Sequence, residues 1–389
     1  MPAANPVYAF LGTTIFETMS RLAAAHGAVN LGQGFPDDRG PDDVLEAAVV
    51  ALRSGSNQYP PMRGLPALRE AIAEHEQRFY RRAVDPATEV LVTSGATEAL
   101  AACVLAWLEP GDEVVLFQPA YDAYAPLVRR AGATPRFVTL RPPHWSFEDD
   151  DLARAFGPRT KMVLLNNPLN PAGKVFSAAE LDRLARFVER FDAIAVCDEV
   201  YEHIVFDGGT HRPFASRPGM ASRSLKIGSA GKTFSLTGWK VGMVVGPANL
   251  VDPVAKAHQF LTFTTPPNLQ TAVAHGLRKD DAYFTGLATD MQRRRDRLAA
   301  GLRDAGLAVL PAGGAYFLNV DLRASGFDMS DDAFCRDLVE RVGVAAIPLS
   351  AFYEEPRVDH VVRFCFAKQD AVLDAATQRL RERLRPVGG

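Results

Sequence analysis

From Glu89 onward the chain repeats one pattern: a short apolar run rich in β-formers, a turn of small residues, then a helical stretch. The runs "EVLVTSG", "DEVVLFQ", "TKMVLLNN", "AIAVCDE", "SLKIGSA" and "VGMVVG" are mostly apolar throughout instead of alternating. Strands of that kind must be covered on both faces. Alternating with helices, they predict a doubly wound, mostly parallel α/β domain built on six strands. Helices are expected from Thr97, over Tyr124 to Ala131, and from Ser177, where Ser177 and Glu180 have the capping-box spacing. In such folds the polar residues at strand ends gather at the ligand crevice.

From about Asp281 the texture changes. "MQRRRDRLAAGLRDAG" belongs to a long helix, and "GGAYFLNVDL", a helix around Asp331 to Val342, "VGVAAIPL", "HVVRFCFA" and a final helix describe a smaller α+β unit. A length of 389 residues suits two or three domains. The expected division is an N-terminal arm over 1–45 packing with the small domain, a large domain over 46–280 and a small domain over 281–389.

A net charge of −3 gives no reason to expect nucleic acid or an anionic membrane as partner. The basic run Arg293 to Arg295 is interleaved with Asp290 and Asp296 and reads as a solvated helix face. The longest aliphatic run, Ala99 to Leu108, is too short to span a bilayer and reads as a buried helix. The opening residues lack the pattern of a signal peptide. Four scattered cysteines without a CxxC read as buried reduced thiols, and a cytoplasmic protein is expected.

Four polar features sit at the expected strand ends. In "VTSGATEA", small residues at a helix start let backbone N–H groups approach an anion, though an ordinary tight turn explains them as well. In "LLNNPLNPAG", two Asn-Pro pairs end a strand with amides at its tip, and turn chemistry alone accounts for both. In "VCDEVYEHIVF", Asp198 closes an apolar strand and should be partly desolvated with a cationic partner, unless it is a helix N-cap. Tyr201 then lies one helical turn on, on the same face. In "SAGKTFSLTGWKVG", a lysine held at strand ends becomes a nucleophile if desolvation or a neighbouring cation lowers its pKa, and Lys240 is a candidate for that cation or for a phosphate grip. Ser229 to Lys232 also spells S-x-x-K, but the S-D-N and K-T-G strings that an acyl-enzyme serine needs are both missing. Together, a phosphate-cradling turn, a buried Asp, an Asn, a Tyr and a loop lysine are the set that pyridoxal 5′-phosphate requires.

On these motifs the chain resembles the class I aminotransferases, fold type I of the pyridoxal-phosphate enzymes. It is most similar to the group holding kynurenine (glutamine), methionine and N-succinyldiaminopimelate aminotransferases. The resemblance covers nearly the whole chain, through "NLGQGFPD", "NQYPPMRGLPALREAIA", "NNPLNPAGKVF", "CDEVYEHIVFD", "KIGSAGKTFSLTGWKVG", "GVAAIPLSAF" and "VVRFCFAK". It implies that Lys232 is the Schiff-base lysine and moves a proton between the substrate Cα and the cofactor. Asp198 would pair with the pyridine nitrogen, while Asn170 and Tyr201 would bond the ring oxygen. The backbone of Ala96 and Thr97, with Ser229 and Lys240, would hold the phosphate, and Tyr121 would stack on the ring. Arg363 would clamp the substrate carboxylate, assisted by Asn170 and the Gly34 backbone. Tyr59 would reach the phosphate of a neighbouring subunit, which makes a homodimer necessary.

The implied activity is ping-pong transamination between an L-amino acid and a 2-oxo acid. Where kynurenine aminotransferases place a bulky aromatic after the turn glycines this chain has Ala96-Thr97, and where they carry Phe-His it has Phe263-Thr264. The cofactor machinery is intact but the side-chain pocket is altered, against a kynurenine preference. Phe16, Tyr59, Thr97, Tyr121 and Phe263 form an apolar, aromatic set that suits methionine, glutamine or aromatic donors. Two other outcomes share the machinery: a cysteine-conjugate or cystathionine β-lyase, and a non-catalytic aminotransferase-like regulator. The second would carry a basic helix-turn-helix module ahead of the first core strand, and no such stretch precedes Glu89.

Overall fold

Burial on both faces organises the molecule, for which a computed structural model describes residues 4–9 and 11–384. The residues of Val90–Thr93, Glu113–Gln118 and Gly242–Val245 are all buried, as strands sandwiched between helices must be. The large sheet has seven strands, in the order Val90–Thr93, Gly242–Val245, Ser224–Ser229, Ile194–Asp198, Thr160–Asn166, Glu113–Gln118 and Thr134–Thr139. Only Gly242–Val245 runs against its neighbours; the remaining pairings are parallel. Each fully buried aliphatic side chain in these strands contributes roughly 1.5–3 kcal/mol.

Six of these strands are the six expected, and the seventh, Thr134–Thr139, was not. It is the edge strand "TPRFVT", partly exposed and carrying Pro135 and Arg136. An edge tolerates proline and needs no continuous apolar run, so it leaves little trace in the sequence. The helix Ala96–Trp107 begins one residue before Thr97, and Ala178–Arg190 starts on the capping box of Ser177 and Glu180, both halves of which are formed. Tyr124–Arg130 is helical as expected.

Beyond the long helix Asp281–Asp304 lies an antiparallel four-stranded sheet, in the order Ile347–Pro348, Val361–Cys365, Phe317–Asp321 and Ala308–Val309. The helix Asp331–Asp337 widens into a π-helical turn over Leu338–Val342 and stops at Gly343, whose φ is +81°. Near the N-terminus, Val29–Asn30 pairs in parallel with Val344–Ala345, and the Leu31 carbonyl accepts from the Cys365 N–H. The arm of 1–45 and the final segment include residues 1–3, 10 and 385–389, which lie outside the described residues.

The Arg293 to Arg295 run is not a simply solvated face. Arg293 pairs with Asp290 and Asp370, Arg294 is buried against Asp38 and Asp290, and Arg295 pairs with Asp207 and Asp296. Arg293 and Arg294 share Asp290 within the helix, and the pairs to Asp370, Asp38 and Asp207 tie the helix to its surroundings. All four cysteines are buried and unpaired. Among the described residues no helix is long and apolar enough to cross a membrane.

Candidate active site

The strand ends of the large sheet converge on a cavity of about 280 Å³. Phe16, Gly34, Ala96, Thr97, Tyr121, Asn170, Asp198, Tyr201, Ser229, Lys232 and Lys240 all line it. They arrive from separate parts of the chain because parallel strands bring their carboxyl ends to one edge.

Asp198 is the last residue of its strand and is buried. Its Oδ2 accepts from the Tyr124 hydroxyl at 2.6 Å, while Oδ1, also buried, has no hydrogen-bond partner. Burial pushes the carboxyl above its ordinary range, against the opposing pull of Tyr124, the Val200 backbone and the charge of Lys232. No helix follows Asp198, so it is not an N-cap, and Tyr201 is not one helical turn away. Instead Glu202 N–H bonds to the Glu199 carbonyl and Ile204 N–H to that of Tyr201. These tight turns bring Tyr201 back over the cavity, where its ring packs edge-on against Tyr316 at 4.9 Å between centroids. The cationic partner expected for Asp198 is replaced by a neutral hydroxyl, with Lys232 acting through space.

Lys232 lies in a single helical turn, Ala230–Thr233, rather than in open loop. Its Nζ donates to the Tyr316 hydroxyl at 2.8 Å, and that hydroxyl donates to the Gly34 carbonyl at 2.9 Å. Burial lowers its pKa from 10.5 to about 8, and the positive charges of Lys240 and Arg363 add to the effect, against Asp198 and Cys365. Lys240 sits at φ +53°, and its side chain leans over Gly95. A Cβ at Gly95 would come within 3.0 Å of Lys240 Cε, and one at Gly242 within 2.5 Å of the Gly95 carbonyl carbon. The backbone start of Ala96–Trp107 is thus open to an anion beside a lysine.

Arg363 is buried behind the cavity rather than lining it. Its Nη1 donates to Asn170 Oδ1 at 3.0 Å and its Nη2 to the Gly32 carbonyl at 2.8 Å, while Nε has no partner. Phe317 lies 4.1 Å from the guanidinium and Phe16 5.2 Å. The Gly32 carbonyl holds Arg363 and the Gly34 carbonyl holds Tyr316, while Gly34 itself lines the cavity. Burial lowers the Arg363 pKa to about 10. Tyr59 and Phe263 are outside this cavity. They face each other edge-on at 5.4 Å, and Tyr59 is 82% exposed.

Three residues of the site carried no role in the sequence reading. Tyr124 holds Asp198; Asn166 donates to the Asp198 carbonyl at 2.8 Å and accepts from the Asn170 N–H at 2.7 Å; Tyr316 holds Lys232. Asn166 was accessible from the sequence, since it and Asp198 are both strand-terminal and stand in register. Tyr316 lies in the turn just before the strand Phe317–Asp321 of the other sheet, and nothing local in "GGAYFLNVDL" marks it.

The description "Aminotransferase class I and II" matches residues 27–380. A probable N-succinyldiaminopimelate aminotransferase of Mycobacterium tuberculosis is 48% identical over 379 residues, covering 95% of both chains. The methionine aminotransferase of Escherichia coli is 41% identical over 372 residues, with 96% of both chains covered. The solved structure of N-succinyldiaminopimelate aminotransferase from Mycobacterium tuberculosis superposes with a TM-score of 0.94 at 47% identity, covering 98% of this chain and 100% of that one. The chain belongs to the class I and II aminotransferases, fold type I enzymes that depend on pyridoxal 5′-phosphate and move an amino group from an amino acid to a 2-oxo acid.

Proposed function

We propose that the protein transaminates an L-amino acid with a neutral, methionine-, glutamine- or aromatic-type side chain against a 2-oxo acid, by a ping-pong mechanism centred on Lys232. One observation carries this reading: the depressed amine of Lys232 and the unpartnered Oδ1 of Asp198 line one cavity with the exposed helix start at Ala96. The residues fit the cofactor. A buried carboxylate oxygen without a donor matches a protonated ring nitrogen, and the Gly95 to Thr97 backbone with Lys240 and Ser229 matches a phosphate. Asn170 and Tyr201 would hold the ring oxygen and Tyr121 the ring face.

When bound, pyridoxal 5′-phosphate supplies an aldehyde that captures the amino group and a protonated ring that accepts the electron pair released at the substrate Cα. Lys232, the covalent attachment point in the resting enzyme, is partly neutral near pH 8 and so can take the Cα proton and return it at C4′. The Tyr316 hydroxyl accepts from the Lys232 amine and would orient it for that transfer. Asp198 would face the ring nitrogen and favour its protonated form, and the Tyr124 hydrogen bond favours the Asp198 carboxylate against burial. Arg363, held by Asn170 and Gly32, binds the α-carboxylate with the planar fork of its guanidinium. Phe16, Phe35 and Tyr121 also line the cavity, and among the described residues its lining cations are Lys232 and Lys240, both assigned to the cofactor.

The reading extends to the rest of the chain. Domain limits of 1–45, 46–280 and 281–389 agree with the separation of the two larger sheets and with the pairing of Val29–Asn30 to Val344–Ala345. A homodimer agrees with the exposure of Tyr59 and Phe260, and the unpaired cysteines suit the cytoplasm. A donor panel with 2-oxoglutarate and pyruvate as acceptors tests the assignment. Methionine, glutamine or an aromatic amino acid should give the highest kcat/KM. Pyruvate and ammonia released from cystathionine, faster than any acceptor-dependent turnover, would make the protein a β-lyase instead.

A further inference from the structure

The turns that follow Asp198 carry a second constellation, on residues the transamination chemistry does not use. His75, on the helix Pro66–Tyr80, meets His203 with the two Nε2 atoms 2.7 Å apart. Glu202 lies beside them, and one ligand atom from each of His75, Glu202 and His203 falls within a 4.8 Å set. His75 and Glu202 are buried and His203 is half-buried. Two imidazoles meeting through the same nitrogen share one proton at most, so one lone pair faces one N–H. A divalent ion between them converts that contact into two N–metal bonds at the cost of moving a proton from Nε2 to Nδ1 on a single ring.

Charged side chains of both signs surround the pair. Lys226 bonds both Glu76 and Glu202, and Arg82 pairs with Glu76, while Glu199 lies close enough to Lys226 to act on it. Glu76, Glu199 and Glu202 are thus offset by Lys226 and Arg82, while Glu199 also bonds His211 and the Arg78 charge acts on His203. Tyr80 and Lys226 both bond Oε2 of Glu202, which leaves Oε1 for a metal. Phe79 and Phe284 pack against both rings and fix their planes. Two imidazole nitrogens and one carboxylate oxygen make the donor set of a borderline divalent ion.

We propose that His75, Glu202 and His203 form a Zn²⁺ site, with water as the fourth ligand on the half-buried His203 side, which ties the turn bearing Tyr201 to the helix Pro66–Tyr80. The site is structural: its ligands stand apart from the cavity lining, but Glu202 follows Tyr201 directly. Untagged holoenzyme freed of metal with a chelator, then incubated with Zn²⁺ and desalted, should retain one equivalent per chain by elemental analysis and melt at higher temperature. His203→Gln, at the least buried ligand, should bind at least tenfold more weakly and lose the melting shift while its circular dichroism stays that of the wild type. Wild-type protein that retains no Zn²⁺, or a folded His203→Gln that retains as much, overturns the site. Should the variant fail to fold, Co²⁺ titration of the wild type decides: imidazole-type visible bands that Zn²⁺ abolishes support the site, and their absence refutes it. Neither result bears on Lys232, so this inference and the transaminase reading fail separately.

Discussion

The Tyr124 hydroxyl donates to one oxygen of Asp198 at 2.6 Å and leaves the other, equally buried, without any partner. That half-satisfied carboxylate divides the labour: the Tyr124 hydrogen bond favours the charged form against burial, and the remaining oxygen is left for a ligand. A buried acceptor left without a donor costs about 1–3 kcal/mol, which a ligand donating to Oδ1 would relieve.

Tyr124→Phe should therefore lower kcat by about tenfold and move the acid limb of the pH–rate profile upward. Tyr124 is the largest influence holding the Asp198 pKa down against burial. Without it the carboxyl protonates at higher pH and stops accepting from the ring nitrogen. An acid limb that stays in place, or moves downward, would contradict the role given to this bond.

Lys232 makes the opposite trade. Its folded pKa of about 8 lies below the ordinary 10.5, so a protonated Lys232 disfavours the folded state. The penalty is full below pH 8 and vanishes as pH rises through 10.5, with a size on the order of 3 kcal/mol. Cofactor-free Lys232→Met should melt above the cofactor-free wild type at pH 7, with the difference shrinking towards pH 10. Calorimetry at the two pH values checks both the sign and the trend.

Arg363→Lys should raise KM for the amino acid and the 2-oxo acid together, by about tenfold to a hundredfold, with the visible spectrum of the holoenzyme unchanged. An ammonium cannot bond Asn170, Gly32 and a carboxylate in the plane that the guanidinium now occupies. Steady-state kinetics on both substrates separates this from a loss of cofactor.

Tyr59 at 82% exposure and Phe260 at 86% are expensive to leave in water, and both are expected at the contact with a second copy. Phe260→Asp should shift the protein towards monomer in size-exclusion chromatography with light scattering, and speed loss of the cofactor on dialysis. A dimer unaffected by the change would place the interface elsewhere.

What the sequence disclosed and what it withheld follow from how far apart the interacting residues lie. Six strands were legible because burial on both faces demands unbroken apolar runs; Thr134–Thr139 was not, because an edge makes no such demand. Lys232, Asp198 and Asn170 stood out as polar residues at the tips of apolar strands. Tyr316 is 84 positions from Lys232 and reaches it only through packing between the two sheets. The turns after Asp198 looked helical because tight turns and a first helical turn share the same short spacing.

Acceptor-dependent turnover of Lys232→Ala loaded with pyridoxal 5′-phosphate tests the central claim most directly. The account predicts a loss of at least about a thousandfold in kcat with cofactor still bound, since no other amine in the cavity is placed to move the Cα proton. Turnover near the wild-type rate would contradict it.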